Sequence, residues 1–198
     1  MPQSRGSIRV ARMLDPQPGE RVLDLCAAPG GKTTHLAALM RNEGKIVAVE
    51  RHPGRARALE RTCARMRANC VRVELGDAAA ARSDGPFERV LVDPPCSGLG
   101  TLQSRPDIRW RATPDAIVAL ARAQTEILAA GAAATAPGGR LVYSVCTISR
   151  AEGEQVVDDF LSRHQEFSAE TPHVQLLPHH DRTDGFFVAL LRRYPSST

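Results

Sequence analysis

Short apolar runs alternate with helical segments along most of this chain, and no other feature of the sequence limits the fold as strongly. Two parallel strands must be joined by a crossover, usually a helix, so this alternation is typical of βαβ units. We therefore predict a mainly parallel sheet with helices covering both faces. The predicted strands are residues 21–25, 46–50, 71–75, 89–93, 140–144 and 185–191, and the predicted helices are 33–41, 53–69, 114–134 and 151–164.

Length and charge narrow the class of protein. The 198 residues suit one domain, with residues 1–18 as a lead-in. Charged residues interrupt each apolar run before it reaches the roughly 18 residues of a membrane span, and the N-terminus lacks the apolar core of a signal peptide. We therefore expect a cytoplasmic protein without a membrane partner. The net charge of +4 permits a polyanionic partner without requiring one.

Candidate chemical groups follow five of the predicted strands. In open parallel sheets ligands bind at the carboxyl ends of the strands, so these groups are expected to meet at one edge of the sheet. They are residues 26–32, Glu50, Asp77, residues 93–98 and residues 146–147.

The loop after the first strand, 26–33, allows two interpretations. It differs by one residue from the phosphate-binding pattern G-x-x-x-x-G-K-T, because Cys26 stands where the first glycine should be. Pro29 argues against a P-loop, since it removes an N–H group from a loop that must direct N–H groups at phosphates. The small residues of the loop still let a ligand approach the backbone closely.

Two acidic residues favour a nucleoside ligand. Glu50 ends the second strand, where a carboxylate accepts hydrogen bonds from both ribose hydroxyls. Asp77 follows the third strand and is placed to accept a hydrogen bond from an adenine amine. With the preceding loop they predict a pocket for an adenosine that carries a short tail without phosphates, as in S-adenosylmethionine.

Two cysteines stand at the ends of neighbouring strands. Cys96 follows Asp93-Pro94-Pro95 after the fourth strand, and Cys146 ends the fifth strand. We expect both thiols to lie over the same cleft. The five cysteines are odd in number and lack paired C-x-x-C spacing, which indicates neither a disulfide framework nor a zinc site.

Three strings, LDLCAAPGGKT, VDPPCSG and YSVCT in this order, resemble the ribosomal RNA cytosine-5 methyltransferases of the Sun/RsmB-like group. Pro2-Gln3-Ser4, residues 105–110 and residues 184–187 add to the resemblance, which covers essentially the whole chain. It implies an α/β, Rossmann-like class I methyltransferase fold with a mostly parallel seven-stranded sheet and an antiparallel last strand. It also implies that the N-terminal RNA-binding regions of the family are absent from residues 1–198.

The resemblance further implies S-adenosylmethionine as the cofactor and RNA as the substrate, with 16S small-subunit ribosomal RNA as the expected target. Cys146 matches the nucleophile of the family, and Cys96 matches the cysteine associated with product release. The positions that match the cofactor site are Cys26, Ala27, Ala28, Pro29, Gly30, Gly31, Lys32, Glu50, Asp77 and Asp93. The family usually places Thr before the nucleophile and Ser after it, whereas here Val145 precedes and Thr147 follows.

Cytosine methylation gives a reason for two thiols. C5 of cytosine is a weak nucleophile, and a thiolate added to C6 makes C5 resemble an enamine carbon. The C5 proton must then leave and the thiolate must be eliminated, which requires a base nearby. Asp93 is placed to hydrogen-bond the cytosine ring and to stabilise charge as C6 is attacked. The target base must be unstacked to reach such a pocket.

Other polar residues have weaker assignments. Arg105, Asp107 and Arg109 follow the Cys96 loop and are expected to contact RNA, whereas Trp110 beside them has RNA contact and core packing as equal alternatives. The histidines near residue 180 lack a helical i, i+4 pair, so no metal is expected.

Three alternatives to an RNA methyltransferase stay open at this point. A DNA cytosine-5 methyltransferase would take Cys96 as its nucleophile, but that chemistry does not require Cys146. The second alternative is a P-loop ATPase, and the third is a non-catalytic module that binds S-adenosylmethionine.

Overall fold

The computed structural model describes residues 3–80, 82 and 84–195, so Pro2 of the resemblance lies outside the described residues. The strands are β1 (Arg21–Leu25), β2 (Lys45–Glu50), β3 (Val71–Leu75), β4 (Phe87–Val92), β5 (Thr135–Val145), β6 (Phe167–Ala169), β7 (Val174–Leu176) and β8 (Phe186–Arg193). The α-helices are α1 (Arg5–Leu14), α2 (Gly31–Leu39), α3 (Pro53–Arg65), α4 (Pro114–Ala134), α5 (Glu154–Arg163) and α6 (Pro178–Asp181), and short 3-10 helices cover Leu99–Thr101 and Pro106–Trp110.

All the strands belong to one sheet, in the order β3-β2-β1-β4-β5-β8-β6, with β7 also paired to β8. Strands β1 to β5 pair in parallel, and β8 runs antiparallel to β5. The expected mostly parallel sheet with an antiparallel last long strand is therefore confirmed. The expected count of seven strands is wrong by one, because β6 and β7 have three residues each and are too short to show an apolar pattern.

Helices cover both faces of the sheet, as predicted. Successive β1 residues point to opposite faces, so Val22 and Leu23 belong to different apolar clusters. The Val22 cluster includes Leu36 of α2 and Leu59 of α3, whereas the Leu23 cluster includes Leu128 of α4. Two layers of helix thus fix the sheet between them.

The N-terminal segment forms a helix that the sequence analysis did not predict. Within the expected lead-in, α1 begins after Ser4, whose hydroxyl accepts a hydrogen bond from the Ser7 N–H at 3.2 Å. Val10 and Leu14 are fully buried and pack in the same cluster as Leu36 of α2. The lead-in is therefore part of the domain core.

Helix α4 has the predicted bounds of 114–134 and carries most of one face of the domain. By length and composition it is also apolar enough to cross a membrane, which the argument from interrupting charges did not anticipate. Leu128 is fully buried against the sheet, and the buried Gln124 hydrogen-bonds the Pro95 carbonyl at 2.9 Å. These contacts are those of a core helix that faces a sheet.

Candidate active site

The loop that follows β1 turns the chain directly into α2. Cys26 and Gly30 both have positive φ angles, of 65° and 99°, and Gly30 is the residue that precedes the helix. A side chain at Gly30 would approach Leu59 of α3 to 2.7 Å. Gly30 therefore permits the turn and the close packing of α3, and it lines neither of the two cavities described next.

A cavity of about 590 Å³ lies at the carboxyl edge of the parallel strands. Ala28 and Pro29 form part of one wall, and the acidic residues Glu50 and Asp77 line another. Glu50 is only 3% exposed and accepts a hydrogen bond from the His52 N–H at 2.9 Å. Asp77 is exposed at the rim. The volume is within the range of roughly 300–1,000 Å³ that is usual for small-molecule sites.

A second cavity of about 300 Å³ lies on the other side of Asp93 and Cys146. Lys32, Thr101 and Phe186 line it, and the predicted cofactor residues Ala27 and Gly31 lie here and not on the larger cavity. The structure thus divides the residues assigned to the cofactor loop between two spaces. The residues common to both cavities are Cys26, Ala28, Pro29, Asp93 and Cys146.

The Cys96 and Cys146 thiols are in contact, with 3.3 Å between the two Sγ atoms. The hydrogen bond from Cys96 to Cys146, together with burial, raises the pKa of Cys96. The same hydrogen bond lowers the pKa of Cys146 below its usual value, and the ammonium group of Lys32 acts in the same direction. Of the two thiols, Cys146 is therefore the one that ionises first, and the thiolate is the reactive form of a cysteine.

An ion pair stands beside this thiol. The Lys32 Nζ lies 2.7 Å from the Asp93 Oδ2, and the Ser144 hydroxyl donates to the Asp93 Oδ1 at 2.7 Å. Burial lowers the pKa of Lys32, but the Asp93 carboxylate outweighs burial and holds that pKa above its usual value. Lys32 therefore remains an ammonium group next to Cys146.

Two glycines bring the chain close to the end of β5. The Gly100 N–H donates to the Cys146 carbonyl at 3.1 Å, and the Gly185 N–H donates to the Gly100 carbonyl at 2.7 Å. A side chain at Gly100 would overlap the Gly185 carbonyl, so only glycine fits. This contact fixes Phe186 at the wall of the smaller cavity.

Asp24 is a buried acid that the sequence analysis treated only as part of a strand. It lines the smaller cavity, and the Thr33 hydroxyl donates to its Oδ2 at 2.7 Å. Burial raises the pKa of Asp24 to about 7 and that of the neighbouring Cys26 to about 12. Cys26 therefore stays protonated at neutral pH.

Of the three residues expected to contact RNA, one lines the larger cavity. Arg105 lines the cavity, and the Arg109 guanidinium lies 5.7 Å from the centre of the Trp110 ring. Trp110 is 81% exposed, which rules out its packing in the core. Asp107 forms an ion pair with Arg111, which also lines the cavity.

No group of three His, Cys, Asp or Glu side chains is arranged to hold a metal ion within residues 3–80, 82 and 84–195. In the histidine-rich segment, His180 pairs with Asp181 at 3.3 Å on the surface, which involves only one histidine and one carboxylate.

The family model of the 16S rRNA methyltransferases RsmB/F matches residues 11–192. The chain belongs to this family. Membership argues against the P-loop ATPase and the DNA methyltransferase as alternatives.

Curated members of the RsmB/F family are similar over nearly the whole chain. The probable ribosomal RNA small subunit methyltransferase B of Synechocystis is 42% identical over 202 residues, which cover 93% of this chain and 45% of that protein. The protein of the same name from Bacillus subtilis is 36% identical, and the match covers 96% of this chain and 47% of that protein. The chain thus spans about half the length of the curated relatives it matches.

Solved structures agree with the fold. NSun6 from Pyrococcus horikoshii, crystallised with the S-adenosylmethionine analogue SFG, superposes with a TM-score of 0.88 at 33% identity over 97% of this chain and 52% of that one. A methyltransferase homologue from the same organism has a TM-score of 0.85 at 30% identity, over 96% of this chain and 67% of that one. The Rossmann-like methyltransferase fold predicted from the sequence is therefore confirmed.

The Lys32–Asp93 pair predicts a shift in the ionisation of Cys146. In Lys32→Met the ammonium that favours the thiolate is lost and the Asp93 charge, which disfavours it, is unopposed. We expect the pKa of Cys146 to rise, so the pH midpoint for alkylation of Cys146 by iodoacetamide should be higher than in the unmodified protein. Residue-specific mass spectrometry across a pH series measures this midpoint.

Lys45→Met is the matched control, because Lys45 is the only other lysine of the chain and begins β2 at the opposite edge of the sheet. An alkylation midpoint that stays the same in Lys32→Met would show that Lys32 does not influence the thiol.

Proposed function

We propose that the chain is the catalytic domain of an enzyme that transfers a methyl group from S-adenosylmethionine to C5 of a cytosine in RNA. The observation that carries this proposal is the contact between the Cys96 and Cys146 thiols where the two cavities meet. A reaction that transfers a methyl group from a cofactor to a base needs one binding space for each, with the reactive groups between them. Membership in the RsmB/F family supports the same activity.

The larger cavity fits S-adenosylmethionine. The buried carboxylate of Glu50 faces it and retains free acceptor capacity for the ribose hydroxyls, and small side chains of the loop allow a close approach. Asp77 is at the rim, where it would accept from the adenine amine. The bound cofactor supplies a methyl group activated by a sulfonium centre.

The smaller cavity fits a single unstacked base. Lys32 offers a donor and Asp93 an acceptor beside the Cys146 thiol. Cys146 would form a covalent bond to C6 of the cytosine, and a hydrogen bond donated by Lys32 would stabilise the negative charge that moves onto the ring, while Asp93 would accept a hydrogen bond from the base. That addition makes C5 nucleophilic.

Product release needs a second group. After methylation the C5 proton must be removed, and the electrons of its bond restore the C5–C6 double bond as the Cys146 thiolate leaves. Cys96 touches Cys146 and lines the larger cavity, which places it beside the bond that breaks. We therefore assign product release to Cys96.

We define the Trp110 surface as Arg105, Arg109, Trp110 and Arg111, and we propose that it binds single-stranded RNA. An exposed aromatic ring beside guanidinium groups stacks bases and attracts phosphates. Because Asp107 is paired with Arg111, it would act on RNA only by orienting that arginine. The named relatives lead us to propose small-subunit ribosomal RNA as the substrate and the cytoplasm as the location.

The proposed activity is tested with methyl-labelled S-adenosylmethionine and small-subunit ribosomal RNA. We expect label at C5 of cytosine, detected by nucleoside mass spectrometry, and no label with Cys146→Ala. Glu50→Gln should weaken binding of the cofactor by roughly ten- to a hundredfold, because charge-assisted hydrogen bonds to the ribose are lost. Glu60→Gln, an exposed acid on α3, is the control and should bind the cofactor normally.

Each negative outcome of this test has a defined meaning. Binding of the cofactor without transfer to any RNA would favour the non-catalytic module. Label on DNA that depends on Cys96 and not on Cys146 would favour the DNA methyltransferase.

The Trp110 surface predicts a loss of RNA affinity in Trp110→Ala. Stacking of one base on an aromatic ring contributes about 1–3 kcal/mol, so the Kd for a single-stranded RNA should rise roughly five- to a hundredfold while cofactor affinity is unchanged. Tyr194→Ala is the control, because Tyr194 is 53% exposed just beyond β8, near the opposite edge of the sheet. Equal RNA affinity of the two variants in filter binding would disprove the assignment.

A further inference from the structure

A fully buried carboxylate lies behind the two cysteine loops. Glu152 stands just before α5, is 0% exposed and lines neither cavity. Its Oε1 accepts hydrogen bonds from the Ser97 N–H at 2.7 Å and from the Gln124 amide at 3.1 Å. Its Oε2 accepts from the Ser97 hydroxyl at 2.5 Å and from the Thr147 hydroxyl at 3.1 Å. One side chain therefore receives four hydrogen bonds.

These donors come from the residues that directly follow the two cysteines. Ser97 follows Cys96, and Thr147 follows Cys146. The Ser97 and Thr147 hydroxyls also lie 2.9 Å apart, so the two loops meet at the carboxylate. A displacement of either loop would change the 3.3 Å separation of the two Sγ atoms.

Further hydrogen bonds fix the position of Glu152 and of the Cys96 loop. The Tyr143 hydroxyl donates to the Glu152 carbonyl at 2.6 Å, and Gln124 of α4 hydrogen-bonds the Pro95 carbonyl on the other side of Cys96. Hydrogen bonds thus connect the Glu152 carbonyl to Tyr143 of β5 and the Glu152 carboxylate to Gln124 of α4.

The charge of Glu152 is compensated in an unusual way. Throughout the described part of the chain, every hydrogen-bond partner of its carboxylate is an uncharged group, and it joins no salt bridge. Burial of a carboxylate without a cation is costly, and the four hydrogen bonds from neutral donors offset that cost. Because the donors lie beside the two cysteines, they indicate that Glu152 acts on the position of the two thiols.

We propose that Glu152 is a positioning residue that keeps the two thiols at the separation needed for the proposed methyl transfer. We call the hydrogen bonds from Ser97, Gln124 and Thr147 to the Glu152 carboxylate the clamp. Its role in catalysis rests on the proposed function, whereas the hydrogen bonds themselves are seen in the structure. It also explains the departure beside the nucleophile: Thr147 keeps a hydroxyl because the clamp uses it, whereas Val145 is fully buried in the apolar core.

Glu152→Gln tests the clamp, because it keeps the shape of the side chain but turns one acceptor oxygen into a donor. We expect kcat to fall roughly ten- to a hundredfold while the KM for S-adenosylmethionine stays within about twofold, since the cofactor cavity is not touched. Glu154→Gln is the matched control two residues away, because Glu154 pairs with the exposed Arg150 at 2.6 Å, and it should keep the unmodified kcat.

A second measurement needs no RNA. Diamide removes two electrons and two protons from neighbouring thiols and leaves a disulfide, so its rate of linking Cys96 to Cys146 reports their juxtaposition. We expect linking to be at least about threefold slower in Glu152→Gln than in Glu154→Gln, as measured by peptide mapping without reductant. If the protein transfers no methyl group at all, this rate still decides whether the clamp exists.

Variants of Thr147 cover the case in which Glu152→Gln fails to fold. Thr147→Val removes the hydroxyl with little change of volume and should slow both methyl transfer and diamide linking. Thr147→Ser restores the hydroxyl and should restore both rates. Linking rates or kcat values equal to those of the unmodified protein in Glu152→Gln, or in Thr147→Val, would overturn the proposal.

Discussion

Parallel pairing of β4 with β5 determines where the two thiols lie. The register aligns Val92, the last residue of β4, with Tyr143, two residues before the end of β5, so the segments that follow the two strands lie side by side. A slip of one residue would turn the side chains of β5 to the other face of the sheet and would separate Cys96 from Cys146. The 3.3 Å contact between the thiols is thus a consequence of strand register, and both cavities are arranged around it.

The electrostatics of the site distinguish two thiols of the same chemical type. Cys146 has a hydrogen-bond donor in Cys96 and a cation in Lys32, and both favour its thiolate. The contact with Cys146 and partial burial raise the pKa of Cys96, so it stays neutral while Cys146 ionises. A neutral thiol cannot accept the C5 proton, so the proposed role of Cys96 in product release requires that it lose its own proton after Cys146 has bonded to the base.

Sequence patterns predicted the features that depend on neighbouring residues in the chain. They did not predict features that depend on contacts between distant segments. Apolar runs located β1 to β5 and the bounds of α4, and strand ends located Glu50 and both cysteines. Helix α1 was not predicted, although Ser4 is a recognisable N-cap and Ile8, Val10, Ala11, Met13 and Leu14 are apolar. Glu152 could not be found from the sequence, because its donors lie in segments far apart in the chain that meet only in the folded protein.

The central claim is that Cys146 attacks the base and Cys96 releases the product, and the covalent protein–RNA adduct tests it most directly. Each protein would be incubated with S-adenosylmethionine and small-subunit ribosomal RNA and run on a denaturing gel. The account predicts that the adduct accumulates in Cys96→Ala, where release is blocked, and is absent in Cys146→Ala, where no bond can form. An adduct that persists in Cys146→Ala, and disappears in Cys96→Ala, would contradict this division of roles.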